Sequence, residues 1–290
     1  MKPARFDYYA PRTREHLLEL LQQYGDDARV LAGGQSLVPA MNFRLARPDV
    51  VIDINRIADL DYLKTKNGML HVGALTRHAR FERGGGEGWE SVGPLGRWLG
   101  DVVRFIGHVP IRARGTFLGS LAHADPAAEW CTVVSALDAE LVCLGQDRER
   151  TFRPAEFFQG IFTTGLKDDE LLLEARLPLL DENWSTGFAE FSRRAGDFAI
   201  AMAAVLARRE RGRIEKMRIT LGGVDDRPLR RTKAENVMIG QEPTEELIEE
   251  AAALAIDELD PMSDIHATAE YRRDLARVMT RRALKQALGR

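Results

Sequence analysis

The segment Ala32-Gly33-Gly34-Gln35-Ser36 stands between a short apolar strand, Val30-Leu31, and a β-branched run, Val50-Val51-Ile52-Asp53-Ile54. It constrains the fold more than any other stretch. Two adjacent glycines straight after a strand let successive backbone N–H groups converge on an anion, and Ser36 adds a hydroxyl donor. An ordinary tight turn is the competing reading. Upstream, Thr13 is placed to cap a helix whose Leu17, Leu18, Leu21 and Tyr24 share one face, and Gly25 ends it. Residues 1–57 therefore read as one small α/β unit.

Residues 58–178 read as a second α/β unit. Asn67-Gly68 predicts a hairpin turn into a strand from Met69 to Ala74. The glycine-rich run 84–88 reads as a loop, with phosphate binding as the sharper alternative. A second small, polar stretch, Gly115-Thr116-Phe117-Leu118-Gly119-Ser120, offers another turn of donors. Asp125 then caps a helix expected to start at Pro126 and run to about Asp138. Strands are expected at Glu140–Leu144 and Leu171–Leu177. From about Asn183 the chain reads as an α+β unit: a strand at Gly187–Phe191, a helix from Phe198 to Arg208, a strand at Met217–Leu221, a turn at Gly222-Gly223, then helices. Two such loops in one chain of this layout bring dinucleotide binding level with the plain-turn reading.

Composition removes several classes. Forty-one basic against 44 acidic residues leave a net charge of −3, which gives no long-range attraction to nucleic acid. No apolar run has the length of a transmembrane segment, and the N-terminus has no apolar secretion signal, so a cytoplasmic location is expected. Cys131 and Cys143 stand alone, and the six histidines lack ligand spacing, so no metal site is expected. Templates for hydrolases and for phosphate-loop or HExxH chemistry are absent, and no catalytic residue is assigned.

Charge in the last fifty residues is segregated. Residues 241–260 carry eight acids and no Lys or Arg, and residues 271–290 carry seven bases against Asp274. Complementary helix faces or a docking surface would both produce this. Arg193 and Arg194 read as partners of Asp197 or Glu190, or as cofactor or partner contacts. Phe191 and Phe198 read as core. Tyr8 and Tyr9 read as packing residues, with ring stacking on a flavin or adenine as the alternative.

Five stretches carry a family resemblance: AGGQSL at 32–37, LARPDVVIDINRI at 45–57, the run from Ile106 to Glu129 (IGHVPIRARGTFLGSLAHADPAAE), SRRAGDFA at 192–199 and HATAEYRRDLA at 266–276. In this order the chain resembles the FAD-binding medium subunit of the molybdenum hydroxylases, the carbon monoxide dehydrogenase and xanthine dehydrogenase type. The resemblance implies an α+β fold: a two-subdomain FAD-binding region of the vanillyl-alcohol oxidase (PCMH) type at 1–57 and 58–178, then an α+β C-terminal domain at 183–290. It implies non-covalent FAD, with Ala32, Gly33, Gly34, Gln35 and Ser36 around the diphosphate and Val30, Leu31 and Leu37 lining it. Thr116, Phe117, Leu118, Gly119 and Ser120 form the second diphosphate loop. Asp125 and Glu129 reach the cofactor's sugar or polar chain, and Leu172 lies near the flavin or adenine.

The implied role is electron transfer. A small [2Fe–2S] iron–sulfur subunit supplies electrons, a large molybdopterin-binding subunit hydroxylates the substrate, and the flavin subunit passes electrons to an external acceptor in a dimer of heterotrimers. Two positions depart from the family pattern. Leu118 stands where the second loop usually has glycine, and Ala189 aligns with a lysine that xanthine dehydrogenase-like members place near the flavin. Two other classes stay open on the residues alone: a self-contained flavin-dependent oxidoreductase of the same fold, which predicts turnover by the isolated chain, and an FAD-free scaffold subunit, which predicts a colourless protein.

Overall fold

A computed structural model describes residues 2–82, 84, 89–146 and 148–289; most of the 84–88 glycine run lies outside them. The first sheet is parallel. Strands β1 (Asp7–Tyr9) and β2 (Ala28–Leu31) both pair with β3 (Val50–Asp53). Helix α1 (Arg14–Tyr24) begins where Thr13 accepts the His16 N–H and ends at Gly25, whose φ of 50° suits glycine. Its Leu17, Leu20 and Leu21 are buried against the sheet. Helix α2 (Leu37–Asn42) follows the glycine pair directly.

The second sheet is antiparallel, in the order β4 (Leu63–Lys66), β5 (Met69–Gly73), β10 (Leu171–Pro178), β6 (Glu140–Leu144), β7 (Glu149–Phe152). Asn67 and Gly68 both have positive φ, 52° and 73°, as a tight hairpin between β4 and β5 requires. Between β5 and β6 the described residues make five α-helices: α3 (His78–Glu82), α4 (Gly93–Val102), α5 (Val109–Arg114), α6 (Phe117–His123) and α7 (Glu129–Leu137). After β7 come α8 (Pro154–Phe157) and the small pair β8 (Phe158–Gly160) and β9 (Thr163–Thr164).

The third sheet orders β11 (Trp184–Phe191), β12 (Ala201–Glu210), β13 (Arg213–Gly222) and β14 (Leu229–Arg230), with α9 (Thr232–Met238), α10 (Glu245–Ala255) and α11 (Ala269–Leu288) after it. The helix expected at 198–208 is strand β12. Ala201–Ala204 and Ala207 favour a helix intrinsically, but the segment pairs along its length with β11 and β13 and is buried on both faces, between α11 and α7. Alanines there let helices approach closely from both sides. Tertiary burial outweighed propensity. The acidic and basic stretches become α10 and α11, joined by Arg281–Glu249 (3.2 Å) and Lys285–Glu245 (2.6 Å), so complementary faces account for the charge segregation.

Two helix starts also differ from expectation. Residues 117–123 form α6 rather than a loop, because Thr116 caps it through its Oγ1 and the Gly119 N–H (3.1 Å). Helix α7 starts at Glu129, not Pro126, because the Asp125 carboxylate bonds the Ala127 N–H (2.9 Å) and holds 125–128 in a turn.

Gly187 sets how closely α11 lies on β11. A Cβ there would stand 2.0 Å from the Ala283 carbonyl oxygen. Gly187→Ala is expected to lower unfolding stability by about 1–3 kcal/mol, since backbone must shift to admit the methyl. A denaturant midpoint equal to that of the unaltered chain would show that α11 slides freely.

Candidate functional site

A cleft of about 530 Å³ opens where the Gly33-Gly34 turn, α6, the start of α7, β10 and the 196–198 strap meet. That volume is in the range of small-molecule and cofactor sites. One wall is built of unpaired backbone donors. Among the described residues the N–H groups of Gly33, Gly34, Gln35, Ser36 and Leu37 find no acceptor in the chain. Gly34, with φ of 73°, curls this run into a concave row. Facing it, Thr116 satisfies the Gly119 N–H and the Thr76 carbonyl takes the Phe117 N–H, which leaves the Leu118 N–H unpaired. Such a concave run of amides suits an anion.

The walls touch because they lack side chains at the contact. A Cβ on Gly33 would lie 2.6 Å from both the Arg114 carbonyl oxygen and the Gly115 Cα. One on Gly115 would lie 2.7 Å from the His78 ring. Gly119 serves the helix start instead, since a Cβ there would sit 2.5 Å from Thr116 Oγ1 and dislodge the cap. Leu118, the non-glycine position of this loop, borders the cleft and is almost fully buried, so its side chain packs inward rather than filling the cavity.

The opposite wall is acidic. Asp125 and Glu129 line it. Glu129 is 6% exposed, and its carboxyl group bonds no other residue among those described, only its own amide. Burial, reinforced by Asp125, raises its pKa above the carboxylate range. Behind it Glu190 on β11 has an Oε2 that is buried without a partner, and burial together with Glu129 raises its pKa further. His123 stacks on Phe162 with ring centroids 4.8 Å apart, and burial lowers its pKa.

The cleft gathers Val30, Ala32, Gly33, Gly34, Gln35, Ser36, Leu37, Thr116, Leu118, Gly119, Ser120, Asp125, Glu129 and Leu172. Two expected residues lie elsewhere. Leu31 borders a second cavity of about 370 Å³ behind the glycine turn, with Asp53, Asn55 and Arg114. Phe117 points into the core, 4.8 Å from the Trp130 ring and 5.3 Å from Phe81. Helical geometry sends Phe117 and Leu118 in different directions, which a loop reading could not foresee.

Other expectations change too. Phe198, expected in the core, is 63% exposed and stands at the cleft. Arg193 lies 3.1 Å from His266 Nδ1, and among the described residues no ion pair joins it to Asp197 or Glu190. Tyr8 donates to Asp53 (2.6 Å) and Tyr9 meets the Tyr24 hydroxyl (2.6 Å), so both are held away from the cleft. Sequence reasoning missed His78, Lys167 and Phe198 as cleft residues. Only Phe198 carried a signal, as an aromatic side chain two residues beyond Gly196.

Glu190 gives a pH test. Its pKa is raised in the folded chain, so the folded state holds a proton that the unfolded state releases, and stability falls as pH rises above the ordinary value of 4.5. Glu190→Gln should raise the unfolding free energy of the cofactor-free chain by about 1–3 kcal/mol above neutrality, with the gain vanishing below pH 4.5. A gain that is the same at both pH values would contradict this.

Comparison with known proteins agrees with this architecture. Residues 4–180 match the family model described as the FAD binding domain in molybdopterin dehydrogenase, and residues 186–287 match the CO dehydrogenase flavoprotein C-terminal domain. The chain is 39% identical over 291 residues to caffeine dehydrogenase subunit beta of Pseudomonas sp. strain CBB1, covering 100% of this chain and 97% of that one. It is 32% identical over 290 residues to the carbon monoxide dehydrogenase medium chain of Hydrogenophaga pseudoflava, covering 100% and 99%. The solved structure of carbon monoxide dehydrogenase from that organism superposes with a TM-score of 0.94 at 33% identity, covering 100% of this chain and 99% of that chain. Quinoline 2-oxidoreductase from Pseudomonas putida 86 gives 0.92 at 33% identity, with the same coverage. The chain therefore belongs to the FAD-binding medium subunits of the molybdenum hydroxylases, the flavoprotein components of these oxidoreductases.

Proposed function

We propose that this subunit receives electrons from the [2Fe–2S] clusters of a small iron–sulfur partner and passes them to an external acceptor. A large molybdopterin-binding subunit completes the assembly, as a dimer of heterotrimers in the cytoplasm. Within the chain, 1–57 and 58–178 form the two cofactor-binding subdomains and 183–290 the C-terminal domain. The unpaired amides from Gly33 to Leu37, facing Leu118 across the cleft, carry this reading, because a diphosphate would satisfy what the chain leaves unsatisfied.

The residues present fit FAD. Ala32–Ser36 with Thr116 and Leu118–Ser120 hold the diphosphate, with Val30, Leu31, Leu37 and Phe117 supporting the two loops. Asp125 and Glu129 accept hydrogen bonds from sugar and ribityl hydroxyls, which no side chain in the cleft otherwise offers them. Leu172, almost fully buried at the cleft, excludes water from a ring face, and Phe198 covers the mouth. When bound, FAD supplies a carrier that takes electrons up and gives them away in single or paired steps. The chain's own thiols, Cys131 and Cys143, are both buried in the core, and two thiols fall short of the four a cluster uses.

Replacing Gly33 or Gly119 would disturb packing or the helix cap as well as the ligand. Ser120 borders the cleft and its hydroxyl has no partner among the described residues, so Ser120→Trp fills the cavity more selectively. The unaltered chain, purified alone or with its partners, should show the visible flavin bands after desalting. Ser120→Trp should weaken FAD binding at least about tenfold, ~1.4 kcal/mol, with circular dichroism unchanged. Reduction of the bound flavin by substrate only in the three-subunit assembly supports the electron-transfer role. Turnover by the isolated flavin-loaded chain would replace it with the self-contained oxidoreductase reading, and a chain that stays colourless under all conditions would sink both.

A further inference from the structure

His78 stands at the start of α3, 5% exposed, and borders the cleft. Its backbone N–H bonds the Gly115 carbonyl (3.0 Å), and its Cδ2–Nε2 edge lies within 2.8 Å of where a Gly115 Cβ would be. The ring therefore looks past Gly115 toward the contact between Gly115 and Gly33, where the unpaired amide run begins. On its far side, Trp130 Nε1–H donates to His78 Nδ1 at 2.9 Å, with the Trp130 ring fixed among Phe81 and Phe117.

This pairing decides the tautomer. Indole N–H is a donor only, so Nδ1 must be bare, and a neutral imidazole with a bare Nδ1 carries its proton on Nε2. Protonation is opposed by burial and by the nearby Arg112 and Arg77, which hold the pKa at about 3. Among the described residues, the chain provides no acceptor for Nε2–H. A donor on a side chain more than nine-tenths buried, unpaired within the chain and bordering a cavity, calls for an acceptor from the ligand.

We propose that His78 is a cofactor-binding residue whose Nε2–H donates to a diphosphate oxygen, with Trp130 as the positioning residue that fixes its tautomer. This rests on the FAD-binding reading of the cleft. The neutral ring adds a directed donor to the amide row without bringing a titrating charge beside the phosphates. An imidazolium would lose the Trp130 bond, because both of its nitrogens donate.

The test uses the full chain, with FAD, ADP and riboflavin as probes, so that the diphosphate is present in two of the three. His78→Phe keeps ring volume and removes the donor. It should weaken FAD and ADP binding in parallel, about ten- to a hundredfold, and leave riboflavin unchanged. In the unaltered protein, ¹⁵N spectra of His78 should show Nε2 protonated and Nδ1 bare across the neutral range, with the Nε2 proton shifting on addition of ADP. Trp130→Phe should release the tautomer and cost a smaller part of the ADP affinity, and His78→Gln, which restores an N–H donor, should recover part of it relative to His78→Phe. Equal ADP affinity in His78→Phe and the unaltered chain would overturn the proposal, as would a loss confined to FAD and riboflavin or an Nδ1-protonated ring. Failure of the unaltered chain to bind FAD would instead overturn the reading beneath it.

Discussion

The cleft exists because three backbones come closer than side chains permit. Gly33, just past the edge strand β2, rests directly on the Arg114–Gly115 backbone, and Gly115 rests on the His78 ring. The same junction is sewn by the His78 N–H to Gly115, the Phe117 N–H to Thr76 and a bridge between Arg77 and Thr116. These contacts hold a small parallel sheet against an antiparallel one with little room for rearrangement. They also consume the local carbonyls, while the amides of 33–37 find no acceptor among the described residues, so the geometry that joins the two sheets also leaves a concave row of donors.

Polarity in the cavity is divided to match a bifunctional ligand. Backbone donors occupy the side near the glycine turn, where a full negative charge would be stabilised without any titrating group. Asp125 and Glu129 occupy the other side, where a neutral polyhydroxyl chain would find acceptors. Burial and mutual repulsion keep protons on Glu129 and Glu190 more readily than on an exposed carboxylate. Desolvation of these carboxyl groups is tolerated because the protonated form that burial favours costs less to bury than the charged one.

Local rules were legible in the sequence wherever they acted locally. Thr13, Gly25 and Asn67-Gly68 mark boundaries through capping and positive φ, and each does so in the structure. The glycine pair was legible as a row of backbone donors, and in the structure the N–H groups of Gly33 to Leu37 find no acceptor among the described residues. What was not legible depends on distant packing. The alanine run of β12 has the composition of a helix, and only two flanking strands and two covering helices make it a strand. Of the two loop residues, Leu118 stays at the cleft and Phe117 turns into the core once Thr116 starts a helix. His78 sits in no motif, and its place at the cleft follows from Trp130, 52 positions away.

The C-terminal sheet is coupled to the cofactor cleft through the strap between β11 and β12. Gly196, with φ of 84°, sits where a Cβ would fall 2.7 Å from His108, so the strap is seated on the segment that leads into α5. Ile200 N–H returns to the Phe191 carbonyl at the base, and Arg272 from α11 holds the Ile200 and Gly223 carbonyls. Two of these hydrogen bonds, those at Ile200, and one tight glycine contact thus tie the strap that carries Phe198 to α11, β11 and the segment before α5. Phe198 at the cleft is thus held from the C-terminal sheet, while the wall from Gly33 to Leu37 belongs to the N-terminal unit. The two sides of the cleft are therefore anchored in different parts of the chain.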